Sequence, residues 1–163
     1  MEAIVDTNVP LVANRTAPQA SPACVIAAVK CLHALQHSGL LVLDDSWLIV
    51  NEYKHKLDQR GQPGVGDAFL KWVLTNQANP QRCRRVAITI IDDGFDTFPN
   101  DPALANFDPS DRKFVAVAIA DSAHPPIYNA VDSDWWQAGI AAALSLYAVR
   151  VEHLCPDALR FQR

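Results

Sequence analysis

The sequence predicts an α/β fold in which a mostly parallel sheet of about five strands lies between two helical layers, a three-layer α/β/α sandwich. Short apolar runs typical of buried strands alternate along the chain with longer segments of helical periodicity. Turn-forming residues follow these runs, as they follow strands. A chain of 163 residues, 50% hydrophobic and 20% charged, can bury one full core, so we expect a single domain over residues 1–163.

The first half of the chain predicts two strands and three helices. The apolar run at 2–5 stops at Asp6-Thr7-Asn8, which favours a short buried strand. Apolar residues at spacings of three and four predict a helix over 20–36, which ends at Ser38-Gly39. We expect a second strand at 40–43, a helix from Trp47 until Gly61, and another helix over 67–77.

The second half continues the alternation after a β-branched run at 86–91, which predicts the third strand. A long loop at 92–108 carries two prolines and several acids. Asp-Pro-Ser-Asp at 108–111 predicts the start of a helix that reaches Ala120. We then expect a strand at 127–131, a helix that begins near Asp132, and a fifth strand at 148–154.

Charge and cysteine content exclude several classes of protein. Fourteen Lys and Arg against eighteen Asp and Glu give a net charge of -4, which argues against binding nucleic acid by bulk positive charge. The four cysteines include no C-x-x-C pair, which excludes a zinc ribbon or a thioredoxin motif, and we expect reduced, mostly buried thiols. They are Cys24, Cys31, Cys83 and Cys155.

No secretory signal pattern opens the sequence, because acidic residues replace the basic start. The longest uncharged stretch, residues 135–149, is shorter than the roughly 20 residues that span a bilayer. We therefore expect a cytoplasmic protein that has no membrane partner.

Four acids occupy positions that suggest a shared site. Asp6 and Asp132 each follow a predicted strand, at the sheet edge where ligands of α/β proteins bind. Asp111 lies on the apolar stripe of its predicted helix, although an acid in a first turn is also explained by capping. Glu52 lies within a helix, where a solvated role is the usual one. Four like charges at one edge require a proton or a cation, and carboxylates suit Mg²⁺ or Mn²⁺.

The segments around these acids resemble the PIN-domain family, the PilT N-terminus-like proteins that include toxin ribonucleases of bacterial toxin–antitoxin pairs. They are Ala-Ile-Val-Asp-Thr-Asn-Val at 3–9, Glu52, Asp-Arg-Lys-Phe-Val-Ala-Val-Ala at 111–118, and Asn-Ala-Val-Asp-Ser-Asp-Trp at 129–135. The resemblance implies an α/β/α fold and catalytic acids at Asp6, Glu52, Asp111 and Asp132. It also implies metal binding by Asp6, Asp111, Asp132 and Asp134, with Thr7 in support.

The function that the resemblance implies is metal-dependent endoribonuclease activity on RNA with Mg²⁺ or Mn²⁺, and it leaves open an antitoxin partner and a homodimer. The alternative is a catalytically silent PIN-fold module that binds nucleic acid or protein. A phospho-receiver or phosphatase ranks last, because only one acid follows the first strand. The 92–108 loop is longer than we expect of a minimal toxin of this kind.

Five basic residues are candidates for contacts with a phosphate backbone. Arg82, Arg84 and Arg85 precede the third predicted strand, and Arg112 and Lys113 follow Asp111 directly. A solvent-exposed role is the default interpretation for each of them. Contact with substrate phosphates is the more specific hypothesis.

Overall fold

The first strand of the chain lies in the middle of its main sheet. The computed structural model describes residues 1–157. Their strands are β1 (Glu2–Val5), β2 (Leu40–Asp44), β3 (Cys83–Val86), β4 (Ile90–Ile91), β5 (Gly94–Phe95), β6 (Ile127–Asn129) and β7 (Val151–His153). Their α-helices are α1 (Asn8–Ala13), α2 (Pro22–Ser38), α3 (Leu48–Lys56), α4 (Val65–Asn76), α5 (Arg112–Ala120) and α6 (Ala138–Leu146).

The main sheet has five strands in the order β3-β2-β1-β6-β7, and every pair is parallel. From β1 the chain moves outward through β2 to β3, and it then returns to the other side of β1 to form β6. The strand order therefore reverses between β1 and β6. In an open parallel sheet, this reversal leaves a crevice at the carboxyl ends of the two strands, where ligands bind.

Both faces of the sheet are covered, as the sandwich prediction requires. Ala3, Ile4 and Val5 are fully buried although consecutive strand residues point to opposite faces. The central residues 41–43 of β2 are buried in the same way. Helix α5 packs against β1, β2 and β6, and helices α1, α2 and α4 pack against one another. The predicted α/β fold is confirmed.

The third strand lies earlier than predicted. Cys83–Val86 pairs with β2, whereas Ile90 and Ile91 form a separate antiparallel hairpin with β5 and are largely exposed. The β-branched run suggested a buried strand at 86–91. The observed strand β3 lies at the edge of the sheet, where charged residues are tolerated. Its Arg84 is accommodated because the guanidinium pairs with Glu2 and Asp121.

Other differences concern element ends. The structure contains helix α1, which the sequence interpretation missed because it took Asp6-Thr7-Asn8 as a turn. Pro10 lies in the first turn of this helix, where its missing N–H is not needed. Helix α3 ends at Lys56 rather than near Gly61. The strands predicted at 127–131 and 148–154 are shorter, at Ile127–Asn129 and Val151–His153.

The expectation of four reduced cysteines is wrong for two of them. Cys24, in the first turn of α2, forms a disulfide with Cys155, which lies after β7. The two residues are 131 positions apart, so local spacing gave no sign of the pair, and their Cα atoms lie 5.0 Å apart. Cys31 and Cys83 are free and buried, as expected.

Within residues 1–157, no helix combines the length and the apolar character needed to cross a bilayer.

Candidate metal centre

Three of the predicted acids meet at the crevice between β1 and β6. Asp6 follows β1, Asp132 follows β6, and Asp111 ends a short 3₁₀ turn, Pro109–Asp111, that leads into α5. One carboxylate oxygen from each of the three lies within 4.8 Å of the others. The chain therefore places three acids together that are separated by most of its length.

An asparagine that the sequence interpretation missed fixes the crevice. The Oδ1 atom of Asn8 accepts hydrogen bonds from the N–H groups of Ala130 and Val131, at 2.7 and 3.2 Å. Its Nδ2 atom donates to Asn129 at 2.8 Å, and the side chain of Asn129 in turn bonds both backbone groups of Asp132. The turn after β1 is thus tied to the loop after β6, which sets the separation of Asp6 and Asp132.

Asp6 is buried, and both of its carboxylate oxygens are engaged. Oδ1 accepts from the N–H of Asn8 at 2.9 Å, and Oδ2 accepts from Nε1 of the buried Trp135 at 2.7 Å. Burial, together with the smaller effect of the charges of Asp132 and Glu52, raises the pKa of Asp6 to about 7 in spite of these two hydrogen bonds. Near neutral pH the ionised form of Asp6 is therefore poorly compensated.

The pKa of Asp111 is raised further than that of Asp6. Its side chain is buried, with 6% of the residue exposed, and its Oδ2 atom has no hydrogen-bond partner. Burial, followed by the charges of Asp6 and Asp132, raises the pKa of Asp111 to about 9. A native protein rarely leaves a buried carboxylate oxygen unpartnered. A proton or a cation would satisfy this oxygen.

The neighbouring Asp132 is consistent with both occupants. Its pKa is raised, mainly by burial, against a hydrogen bond from the N–H of Asp134. Two ionised carboxylates cannot hydrogen-bond to each other, but a protonated Asp111 can donate to Asp132, and this contact lowers the pKa of Asp132. Without a cation, we therefore expect Asp111 and Asp132 to share a proton.

A second group of carboxylates shares Asp111 with the first. Oxygens of Asp108, Asp111 and Asp134 also lie within 4.8 Å of one another. Asp134 was expected here. Asp108 was predicted only as a cap, and its Oδ1 atom does cap the 3₁₀ turn by accepting from the N–H of Ser110. Because Asp108 and Asp134 are both partly exposed, whereas Asp6 and Asp111 are buried, this group forms the side of the cluster that faces solvent.

Glu52 lies beside the three aspartates but in neither carboxylate group. Its Oε1 atom accepts from the hydroxyl of Thr7 at 2.5 Å, and Oε2 forms an ion pair with the buried Lys113. The ammonium of Lys113 also donates to the backbone oxygen of Ser110. This network connects the residue after Asp6 to the residue before Asp111. Glu52 and Lys113 therefore position the two aspartates.

The five predicted phosphate-binding residues lie in three different surroundings. Arg82 donates to the backbone oxygen of His37, and Arg84 pairs with Glu2; both contacts lie at the amino-terminal edge of the sheet, opposite the carboxylates. Arg112 donates to the backbone oxygens of Ala105 and Phe107 and lies over the ring of Phe98. Lys113 and Arg85 lie at the carboxyl-terminal edge.

Comparisons with known proteins found no family model, curated protein or solved structure that matches the chain.

The raised pKa values predict how the stability of the metal-free protein depends on pH. Below about pH 4 the acids are protonated in both folded and unfolded states. As the pH rises, the unfolded chain releases its protons first, so folding loses stability until the pH passes the folded pKa values of about 7 for Asp6 and about 9 for Asp111. In buffer containing EDTA, the melting temperature should fall from pH 5 to pH 9.

The Asp111→Asn protein should lose the part of this slope above pH 7, while the exposed-site control Asp93→Asn should keep it. A slope equal in wild-type and Asp111→Asn protein would show that Asp111 does not carry the proton.

A double-mutant cycle tests the positioning network. Lys113→Met leaves the carboxylate of Glu52 uncompensated beside Asp6 and should destabilise the fold, whereas Glu52→Gln added to it removes that charge. The free energies of unfolding in urea should show a coupling of about 1 to 3 kcal/mol between the two positions. Additive effects would show that the ion pair contributes nothing to the site.

Proposed function

We propose that this chain is a metal-dependent endoribonuclease that hydrolyses RNA phosphodiester bonds, with Asp6, Asp111 and Asp132 as the ligands of Mg²⁺ or Mn²⁺. The observation that carries the proposal is the buried, unpartnered Oδ2 atom of Asp111 among carboxylates whose oxygens lie within 4.8 Å of one another. Capping explains an acid at position 111 but not an orphaned, buried oxygen that faces other acids.

The donor set suits a hard divalent cation. Opposite ligand oxygens of one ion are about 4.2 Å apart around Mg²⁺ and about 5 Å apart around Ca²⁺. The carboxylate oxygens, all within 4.8 Å of one another, therefore lie near the spacing that one such cation requires. The oxygens belong to carboxylates, and no histidine or cysteine belongs to either group among the described residues, which favours Mg²⁺ or Mn²⁺ over softer metals.

When bound, such a cation would lower the pKa of a water molecule and offset negative charge on a phosphate. The chain itself orients the carboxylates. Trp135 and Asn8 hold Asp6, the N–H of Asp134 holds Asp132, and the Glu52–Lys113 pair fixes the segment that carries Asp111. Binding of the cation requires Asp111 to release its proton, so metal affinity increases with pH.

RNA is proposed as the substrate because the segments that supply these acids resemble PIN domains. Net charge is compatible with a polyanion, because two divalent cations would offset the charge of -4. An antitoxin partner and a homodimer are left open by the same resemblance and stay predictions. A cytoplasmic location, expected from the sequence alone, also stays a prediction. The Cys24–Cys155 disulfide is unusual for it, since such bonds are rare in the cytosol of most organisms.

Hydrolysis should depend on the charge of Asp111 rather than on its shape. Asp111→Asn keeps the volume of the side chain but removes its negative charge, so Mn²⁺-dependent cleavage of a mixed RNA pool should fall by orders of magnitude. Circular dichroism should show an intact fold, and Asp93→Asn should cleave like the wild type.

Equal cleavage by wild-type and Asp111→Asn protein would contradict the assignment. RNA binding with no cleavage by the wild type would favour the alternative, a PIN-like module that binds without turnover.

A further inference from the structure

Trp47 has two properties that are unusual for a tryptophan with a purely structural role: an exposed side chain and a left-handed backbone conformation. It is 41% exposed, so its indole contributes little to the core. Its backbone lies in the left-handed region, with φ 67° and ψ 14°. That region favours glycine and asparagine, and a bulky residue there is an outlier associated with functional sites.

The turn around Trp47 does not require a tryptophan. The buried carboxylate of Asp44 accepts hydrogen bonds from the N–H groups of Ser46, Leu48 and Ile49, at 2.9 to 3.0 Å. These bonds hold the backbone in its tight turn before α3 without help from the side chain at position 47. Glycine would adopt the same backbone without strain. The indole is therefore a feature that the fold does not explain.

The guanidinium of Arg85 stacks over the indole of Trp47. Its guanidinium carbon lies 3.8 Å from the centre of a Trp47 ring, and its side chain is exposed. Within residues 1–157, Arg85 forms no ion pair, in contrast to its neighbour Arg84, which pairs with two carboxylates. The charge of Arg85 is thus available to a ligand, and an arginine stacked on an aromatic ring is a common nucleic-acid contact.

Trp47 and Arg85 lie on the same sheet edge as the carboxylates. Trp47 follows the end of β2, and Arg85 lies next to the end of β3, opposite Leu43 of β2. Strand β2 is the neighbour of β1, which leads to Asp6. Neighbouring strands lie about 4.8 Å apart, so the stack is separated from the end of β1 by one or two strand spacings.

We propose that Trp47 and Arg85 bind an unpaired nucleotide of single-stranded RNA next to the carboxylate cluster, the base stacking against the indole and the guanidinium contacting a phosphate. The identification of RNA rests on the proposed function. Stacking is a suitable source of affinity here, because a chain with a net charge of -4 attracts a polyanion poorly and every base offers an aromatic face.

The test measures binding without cleavage. A short fluorescein-labelled oligouridylate is titrated with protein in EDTA, and anisotropy gives the dissociation constant. Trp47→Gly should bind about 5-fold to 100-fold more weakly than wild type. Its melting temperature should be unchanged or higher, since glycine relieves the strain at this backbone.

Arginine variants separate the charge of Arg85 from general electrostatics. Arg85→Gln should reduce the slope of log affinity against log salt by about 0.7, the value for one phosphate contact on a single strand. Arg150→Gln is the matched control, because Arg150 is also exposed but precedes β7 at the opposite edge of the sheet. It should leave the slope unchanged.

Wild-type affinity in Trp47→Gly would overturn the proposal, as would a loss of affinity that comes with a lower melting temperature. A wild-type protein that binds duplex RNA as well as the oligouridylate, or binds neither, would also overturn it. Because EDTA removes any hydrolysis, binding that requires Trp47 together with an absence of Mn²⁺-dependent cleavage would refute the proposed enzyme activity and leave this site standing.

Discussion

The cost of holding three aspartates together, two of them buried, is the constraint on which the rest of the site depends. Asp6 and Asp111 are withdrawn from water and lie within 4.8 Å of Asp132, so ionising all three without a compensating cation costs folding free energy. The raised pKa values of Asp6 and Asp111 express this cost. The fold keeps the three acids together because strand order, rather than any attraction between them, determines where they lie.

The surrounding polar network makes the arrangement rigid. Asn8 connects the turn after β1 to the loop after β6, and the Glu52–Lys113 pair connects that same turn to the segment before Asp111. Both carboxylate oxygens of Glu52 are thereby occupied, one by Thr7 and the other by Lys113. Glu52 therefore has a positioning role that differs from the role of the three aspartates. A preorganised set of carboxylates of this kind would lose little conformational freedom on binding a cation.

Sequence patterns were sufficient for features that a single segment encodes. The apolar run that stops at Asp6 predicted β1. The apolar stripe that includes Phe114 and Val115 predicted that Asp111 lies on the buried side of its helix. Contacts between distant segments could not be predicted: Trp135 donates to Asp6 across 129 positions, and Lys113 reaches Glu52 on another helix. The disulfide was missed for the same reason. The edge strand β3 was misplaced because its arginines obscure a strand whose charges are compensated by distant acids.

The most direct test of the metal centre is a crystal structure of the protein soaked in Mn²⁺ near pH 8, with the ion located by its anomalous scattering. We expect an anomalous peak about 2.0 to 2.6 Å from oxygens of Asp6, Asp111 and Asp132, with Glu52 still paired to Lys113. A protein that shows no peak at these three residues would contradict the assignment of all three as metal ligands.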